Sequence, residues 1–210
     1  MKHIPHLYLP GRWDGGTLEA GGEQIDHLGR VLRLDDGSEV TYTDGAGTFG
    51  QGIWSGGAIS RSDEEQRERP SNLIVATAPP SSRDRVRFLV EKLAELGVEQ
   101  LLWLTTRHGA RRVPPLKKQQ SWAVSALEQS RGSWLMGVSD SLVDWDSLER
   151  PLAVCMPGGS VTSTDFRTVA VGPEGGFGDG EAPADATAVG LGPTILRVET
   201  AAVVAAFRFL

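Results

Sequence analysis

The sequence predicts an α/β protein, with a mainly β segment ahead of a longer α/β domain whose sheet is mostly parallel. Three observations carry that expectation. Short, largely apolar runs recur after Pro70, at 73–78, 101–106, 152–156, 168–172 and 188–192, and such runs mark strands covered on both faces. Segments of helical period separate the first of them. Before Pro70 the pattern is rich in turns and short strands. Strands that alternate with helices build a parallel sheet.

Each element follows in order. IDHLGRVLRL (25–34) places Ile25, Leu28, Val31 and Leu32 on one stripe, the mark of a short amphipathic helix. EVTYTD (39–44) and TFGQGIW (48–54) are strand-like and meet through Gly45-Ala46-Gly47, a hairpin signal. SDEEQRERP (62–70) is charged and closes on proline, so it reads as a linker between domains at 1–70 and 71–210. A chain of 210 residues is long enough for both.

LIVATA (73–78) opens the second domain as a buried strand. Ser81 and Ser82 can cap a helix. Val86, Leu89, Val90, Leu93 and Ala94 give that helix its apolar stripe, and Gly97 sits where a C-terminal cap belongs. LLWLTT (101–106) is the next strand. A helix beginning near Pro114-Pro115 carries Trp122, Ala123, Ala126, Leu127 and Ser130 on one face. The last helix, ETAAVVAAFRF (199–209), is rich enough in alanine and valine to be buried nearly all round, in the core or against a second subunit.

Several function classes are excluded or disfavoured. No apolar run approaches the ~18 residues of a membrane helix. The N-terminal stretch has no apolar core of a signal peptide, so the expected compartment is the cytoplasm. Cys155 stands alone: no internal disulfide forms, and its apolar run LAVCM suggests an inert core thiol. No metal site is expected. His3 and His6 read as surface histidines, His27 and His108 are isolated, and neither CxxC nor HExxH occurs. G-x-S-x-G is also absent.

The net charge of −6 argues against general nucleic-acid binding, but its distribution is uneven. Residues 71–132 carry +5, against −5 for 1–70 and −6 for 133–210. Within the basic third, TTRHGARRVPPLKK (105–118) holds five cations and no acid. Such a stripe can track a phosphate backbone, or can simply be a solvated loop and helix start.

Two loops near the end of the chain can carry chemistry. GPEGG (172–176) follows the strand TVAV, where ligands of open α/β sheets sit; its glycines allow close backbone approach. It matches neither G-x-G-x-x-G nor a P-loop, and a tight turn also explains it. LGPTILRVETA (191–201) likewise follows a strand. Glu199 there has a structural explanation at a helix start. Arg197, set between Leu196 and Val198, calls for a partner or a ligand.

Together, HLGRVLRL (27–34), EKLAELGV (91–98), TTRH (105–108), EQSR (128–131), VGPEGGF (171–177) and LGPTILRVETA (191–201) resemble the RsmE family in order and approximate spacing, over nearly the whole chain. Those proteins are bacterial 16S ribosomal RNA uridine N3-methyltransferases. The resemblance implies an N-terminal PUA-like β-barrel over 1–70 and a C-terminal SPOUT domain over 71–210 whose trefoil knot binds S-adenosylmethionine. It implies a homodimer acting on the small ribosomal subunit. Its cofactor loops correspond to Met156, Pro157, Gly172, Pro173, Glu174, Gly175, Gly176, Leu191, Gly192, Ile195, Leu196, Thr200 and Ala201. Arg197 and Glu199 correspond to the reacting centre: a guanidinium steadies developing negative charge, and a carboxylate accepts a proton or orients the base. Arg30, Arg33, Arg107, His108, Arg111, Arg112, Gln129 and Arg131 correspond to the RNA-binding surface. The chain departs from the family pattern at Thr194, Ser82-Arg83, Gly132 and Met136. Two other readings stay open here, a SPOUT 2′-O-ribose methyltransferase and an RNA- or ribosome-binding protein without catalysis.

Overall fold

The hairpin expected around Gly45-Ala46-Gly47 forms between β3 (Ser38–Thr43) and β4 (Thr48–Ser55), antiparallel with Thr43 opposite Phe49. Asp44 holds the turn, accepting hydrogen bonds from the Ala46 and Thr48 amides at 2.7 and 3.1 Å. The structure is a computed structural model that describes residues 4–11, 13–19, 21, 34–160 and 165–210. The expected helix at 25–34, with Arg30 and Arg33, lies outside the described residues apart from Leu34.

Two compact units make up the chain: Met1–Arg69 with Leu127–Leu135, and Pro70–Ala126 with Met136–Leu210. In the first unit, β1 (His6–Tyr8), β2 (Thr17–Glu19), β3, β4 and β5 (Ala58–Gln66) form one mixed sheet in the order β1-β3-β4-β5-β2, with β1 parallel to β3. Leu7, Leu18, Val40, Tyr42, Trp54 and Ile59 form its core.

β5 corrects the reading of 62–70 as a linker throughout. Its charged half pairs with β4 through Glu64, Glu65 and Gln66. Its side chains there are mostly exposed, so the backbone ladder, not apolar pattern, sets this strand. His6 is a second correction, because it is buried rather than at the surface. Its ring stacks on Phe49, Nδ1 meets the Thr41 hydroxyl at 2.9 Å, and Nε2 meets the Gly132 carbonyl at 2.9 Å. Burial, aided by the Arg131 charge, holds its pKa below the usual histidine value. The Gly132 carbonyl thus serves the first unit, and a Cβ on Gly132 would lie 2.8 Å from Leu127 Cδ1.

The second unit carries a six-stranded sheet in the order β11-β9-β10-β6-β7-β8, every pair parallel. Its strands are β6 (Ile74–Thr77), β7 (Gln100–Leu104), β8 (Gly137–Val143), β9 (Leu152–Ser160), β10 (Thr168–Val171) and β11 (Thr187–Val189). β6 and β10 are buried on every residue, as their unbroken apolar runs require.

Helix α1 (Arg83–Glu95) buries Val86, Leu89, Val90 and Leu93. Ser82 takes the N-cap position, yet its side chain makes no capping bond. At the other end, the Val98 amide reaches the Leu93 carbonyl and the Gly97 amide reaches Ala94. With Gly97 at φ +80°, that is a Schellman cap. Helix α2 (Leu116–Ser130) buries Trp122, Ala123, Ala126 and Leu127 but exposes Ser130. Gln119 is also fully buried: its Oε1 accepts from Trp103 Nε1 at 2.8 Å, and its Nε2 donates to the Pro114 carbonyl at 2.7 Å.

Helix α3 (Val198–Phe209) buries Val198, Glu199, Ala201, Ala202, Ala205 and Ala206. It is not buried all round within one chain, since Phe207 is 76% exposed. No helix among the described residues is long and apolar enough to cross a membrane.

Candidate functional site

The cavity of interest lies in the second unit, around the carboxyl ends of β10 and β11 and the later residues of β9. Its volume is about 540 Å³, and it is lined by 155–157, 171–177, 191, 192, 194–198 and 201. Parallel sheets direct ligands to this end because their loops and helix N-termini converge there.

Three stretches form the wall. Cys155, Met156 and Pro157 come from β9. Val171 leads from β10 into Gly172, Pro173, Glu174, Gly175 and Gly176. The Gly176 amide closes a turn onto the Pro173 carbonyl at 2.8 Å, with Gly176 at φ +68°, a conformation glycine adopts without cost from a Cβ. Leu191, Gly192, Ile195, Leu196, Arg197 and Ala201 come from the last loop and the first turn of α3. Of the residues expected to hold a cofactor, Thr200 alone is not on this wall; it is exposed on the outer side of α3.

Cys155 is not the fully buried core thiol expected, because it is partly accessible and lines the cavity. Desolvation nevertheless pushes its pKa up to about 12, against a smaller lowering by Arg208. The thiol stays protonated near neutrality, so it is a poor nucleophile.

Arg197 and Glu199 diverge. Arg197 is the N-cap residue of α3; its exposed side chain lines the cavity and makes no ion pair among the described residues. Glu199 sits in the first turn of α3 at 9% exposure and does not line the cavity. One carboxylate oxygen lies 3.8 Å from Arg85 Nε; the other, Oε2, is buried without a hydrogen-bond partner among the described residues. Arg85 also donates through Nη1 to Glu174 at 2.5 Å. Sequence reasoning missed Arg85. Its signal was a cation in the first turn of a helix, where the dipole disfavours positive charge.

The start of the basic stripe lies against the GPEGG loop. Glu181 accepts from the Arg107 amide at 2.6 Å and from the Gly178 amide at 2.5 Å. The Arg107 side chain covers Gly178 closely enough that a Cβ there would meet its guanidinium Nη1 at 2.8 Å. His108 Nδ1 is 3.2 Å from the Gly176 carbonyl. Arg107, His108, Arg111 and Arg112 are all exposed. In the first unit Gln129 and Arg131 are exposed too, with Arg131 donating to the Ile4 carbonyl at 2.8 Å. Among the described residues no cluster of His, Cys, Asp and Glu is placed to hold a metal ion.

Comparisons with known proteins point the same way. The family model described as RNA methyltransferase domain matches residues 67–209. The ribosomal RNA small subunit methyltransferase E of Mycobacterium bovis is 27% identical, over 91% of this chain and 85% of its own length. The same-named protein of Mycobacterium tuberculosis is equally similar. A ribosomal RNA small subunit methyltransferase E from Neisseria gonorrhoeae, solved bound to S-adenosyl methionine, superposes with a TM-score of 0.85 at 25% identity, covering 98% of this chain and 96% of that one. A putative methyltransferase of Legionella pneumophila, solved with the same cofactor, gives 0.82 at 25% identity, covering 99% of this chain and 97% of that one. With a matching family model over two thirds of its length and RsmE-type relatives along nearly all of it, this chain belongs to the RNA methyltransferase family.

Proposed function

We propose that this protein transfers a methyl group from S-adenosylmethionine to N3 of a uridine in 16S ribosomal RNA, acting in the cytoplasm on the small subunit. The observation that carries the reading is the cavity, which joins GPEGG to the start of α3 and has Arg197 on its wall, without an ion pair among the described residues. Its residues suit the cofactor. The volume of about 540 Å³ falls within the range of small-molecule sites, about 300–1,000 Å³. Val171, Phe177, Leu191, Ile195 and Leu196 supply apolar wall, and Gly172, Gly175, Gly176 and Gly192 leave backbone groups open to a ligand.

Met156, Pro157, the GPEGG loop, Leu191, Gly192, Ile195, Leu196 and Ala201 hold the cofactor in this proposal. Thr200, on the outer side of α3, has no direct part. When bound, S-adenosylmethionine supplies an electrophilic methyl group on a sulfonium centre. The chain must do the rest. Uridine N3 is a poor nucleophile until its proton leaves, so the anion needs stabilising and the proton needs an acceptor. Arg197 meets the developing charge on the uracil ring. Glu199 is off the cavity wall within one chain, at the start of α3 beside Val198, which lines it; in this reading it orients the base or accepts the N3 proton only once the base is seated against that first turn. Much of the rate then comes from holding the reacting atoms in line.

The cations at Arg107, Arg111 and Arg112, with His108, bind RNA backbone in this reading; Gln129 and Arg131 extend that role to the first unit, together with Arg30 and Arg33. RNA affinity then falls steeply with salt, and replacing Arg111 and Arg112 by alanine reduces the slope of log K against log salt by about one unit per cation. Filter binding over a salt series measures it, and an unchanged slope removes the assignment. A second copy of the chain completes the assembly. Phe88 on α1 (43% exposed) and Phe207 on α3 (76%) present apolar surface on two helices that pack together, and a homodimer covers such surface. Formation of 3-methyluridine on isolated small subunits tests the whole reading.

A further inference from the structure

We infer that Arg85 is a positioning residue of this methyltransferase site, joining its two cavity loops through one guanidinium. The inference rests on the proposed cofactor site and adds a residue outside every loop assigned to it. Arg85 belongs to α1, a different element from either loop. Its Nη1 donates to Glu174 in GPEGG at 2.5 Å, and its Nε lies 3.8 Å from Glu199 in the first turn of α3. Glu174 lines the cavity; Glu199 is flanked by Val198 and, two residues on, Ala201, which also line it. No other ion pair among the described residues connects these two segments.

Three physical points favour a role beyond stability. The Arg85 and Glu174 side chains are 36% and 54% exposed, and an ion pair so wetted adds little to folding. Arg85 stands in the first turn of α1, where the helix dipole opposes a cation, so the placement costs stability that a neutral residue would not. Glu199 is nearly buried, and Oε2 has no donor among the described residues. A carboxylate in that state needs a nearby positive charge, and Arg85 is the cation that the structure sets beside it. One planar guanidinium with several donors can serve two carboxylates at fixed angles; a lysine ammonium cannot reproduce that geometry.

The test measures S-adenosylmethionine binding by calorimetry, together with Tm, for the full chain and for Arg85→Met, Arg85→Lys, Glu199→Gln and the Arg85→Met/Glu199→Gln pair. Arg85→Met is expected to weaken binding about tenfold and to lower Tm, because it leaves Glu199 without its cation; the Arg85→Met/Glu199→Gln pair regains most of the Tm with binding still weakened, and Arg85→Lys restores only part of the binding. The pair should lose less than the sum of its single variants, the sign of one coupled unit. Binding by Arg85→Met within twofold of the unaltered chain overturns the inference. So does strict additivity, or a pair that recovers full binding together with its Tm, which makes the role of Arg85 one of stability alone. Absence of binding by the unaltered chain is a different result, because it overturns the proposed function as well.

Discussion

An Arg197→Ala protein transfers methyl groups about 10²–10³-fold more slowly than the unaltered chain, the range found when one donor facing developing charge is removed. Its affinity for S-adenosylmethionine stays within about threefold, because a guanidinium contributes no attraction to a sulfonium cation. The separation follows from where Arg197 stands. It caps α3 with extended backbone (φ −66°, ψ 154°), is exposed, and lines the cavity without an ion pair among the described residues. Its removal leaves no buried carboxylate unmatched, so the fold is retained. Charge on the uracil ring grows between ground state and transition state, and a preset cation lowers the barrier rather than the binding energy. Arg197→Lys recovers part of the rate. Single-turnover kinetics at saturating cofactor measures the effect, and a rate equal to that of the unaltered chain ends the electrostatic role.

The second large effect is on stability. Gly159 and Gly190 meet beside the Val189–Ser160 pair, where β9 and β11 pair again after the register shift. A Cβ on Gly159 would lie 2.4 Å from the Val189 carbonyl carbon and 2.6 Å from the Gly190 amide nitrogen. A Cβ on Gly190 would lie 2.5 Å from the Gly159 carbonyl oxygen. These neighbours are backbone, so no side chain can turn aside. The strands must part at the Val189–Ser160 pair. Gly159→Ala and Gly190→Ala each cost about 1–3 kcal/mol, as overpacking does. For a chain of this size Tm falls by about 2–4 °C per kcal/mol. Because both substitutions widen one contact, the double variant loses less than the sum. Leu191 and Gly192 follow immediately and line the cavity, so cofactor affinity falls with Tm. Thermal unfolding with and without S-adenosylmethionine checks both, and an unshifted Tm contradicts the close crossing.

Much of this architecture was legible in the amino-acid pattern, for physical reasons that particular residues make plain. Strands buried on both faces leave unbroken apolar runs, and LIVATA and TVAV became β6 and β10 in full burial. Gly97 announced the end of α1 because the cap needs a left-handed residue. β5 and β8 were hidden because neither presents an unbroken apolar run: SRSDEEQ is polar and mostly exposed, and GVSDSLV is interrupted by Ser-Asp-Ser and nowhere fully buried. Short-range patterns also could not place 127–135 with the first unit. That association rests on contacts between distant positions, such as Tyr8 with Glu128 and His6 with Gly132.

The site divides in the same way. GPEGG and LGPTILRVETA were conspicuous because glycine, proline and isolated charge interrupt apolar runs. Their convergence on one cavity depends on strand order, with β9 between β10 and β11, and no local pattern carries that. Helical periodicity alone separates Thr200 from Ala201, since adjacent residues on a helix face different ways. Arg85 was obscured because it belongs to a run of arginines at 83, 85 and 87, of which the structure sets one beside Glu174 and Glu199.

The central claim is tested most directly by incubating the protein with isotope-labelled S-adenosylmethionine and small ribosomal subunits that lack this methylation, then digesting the RNA and identifying the labelled nucleoside by mass spectrometry. The account predicts label in 3-methyluridine, lost with Arg197→Ala. Label in a 2′-O-methylated nucleoside, or no label from a protein that binds the cofactor, would contradict it.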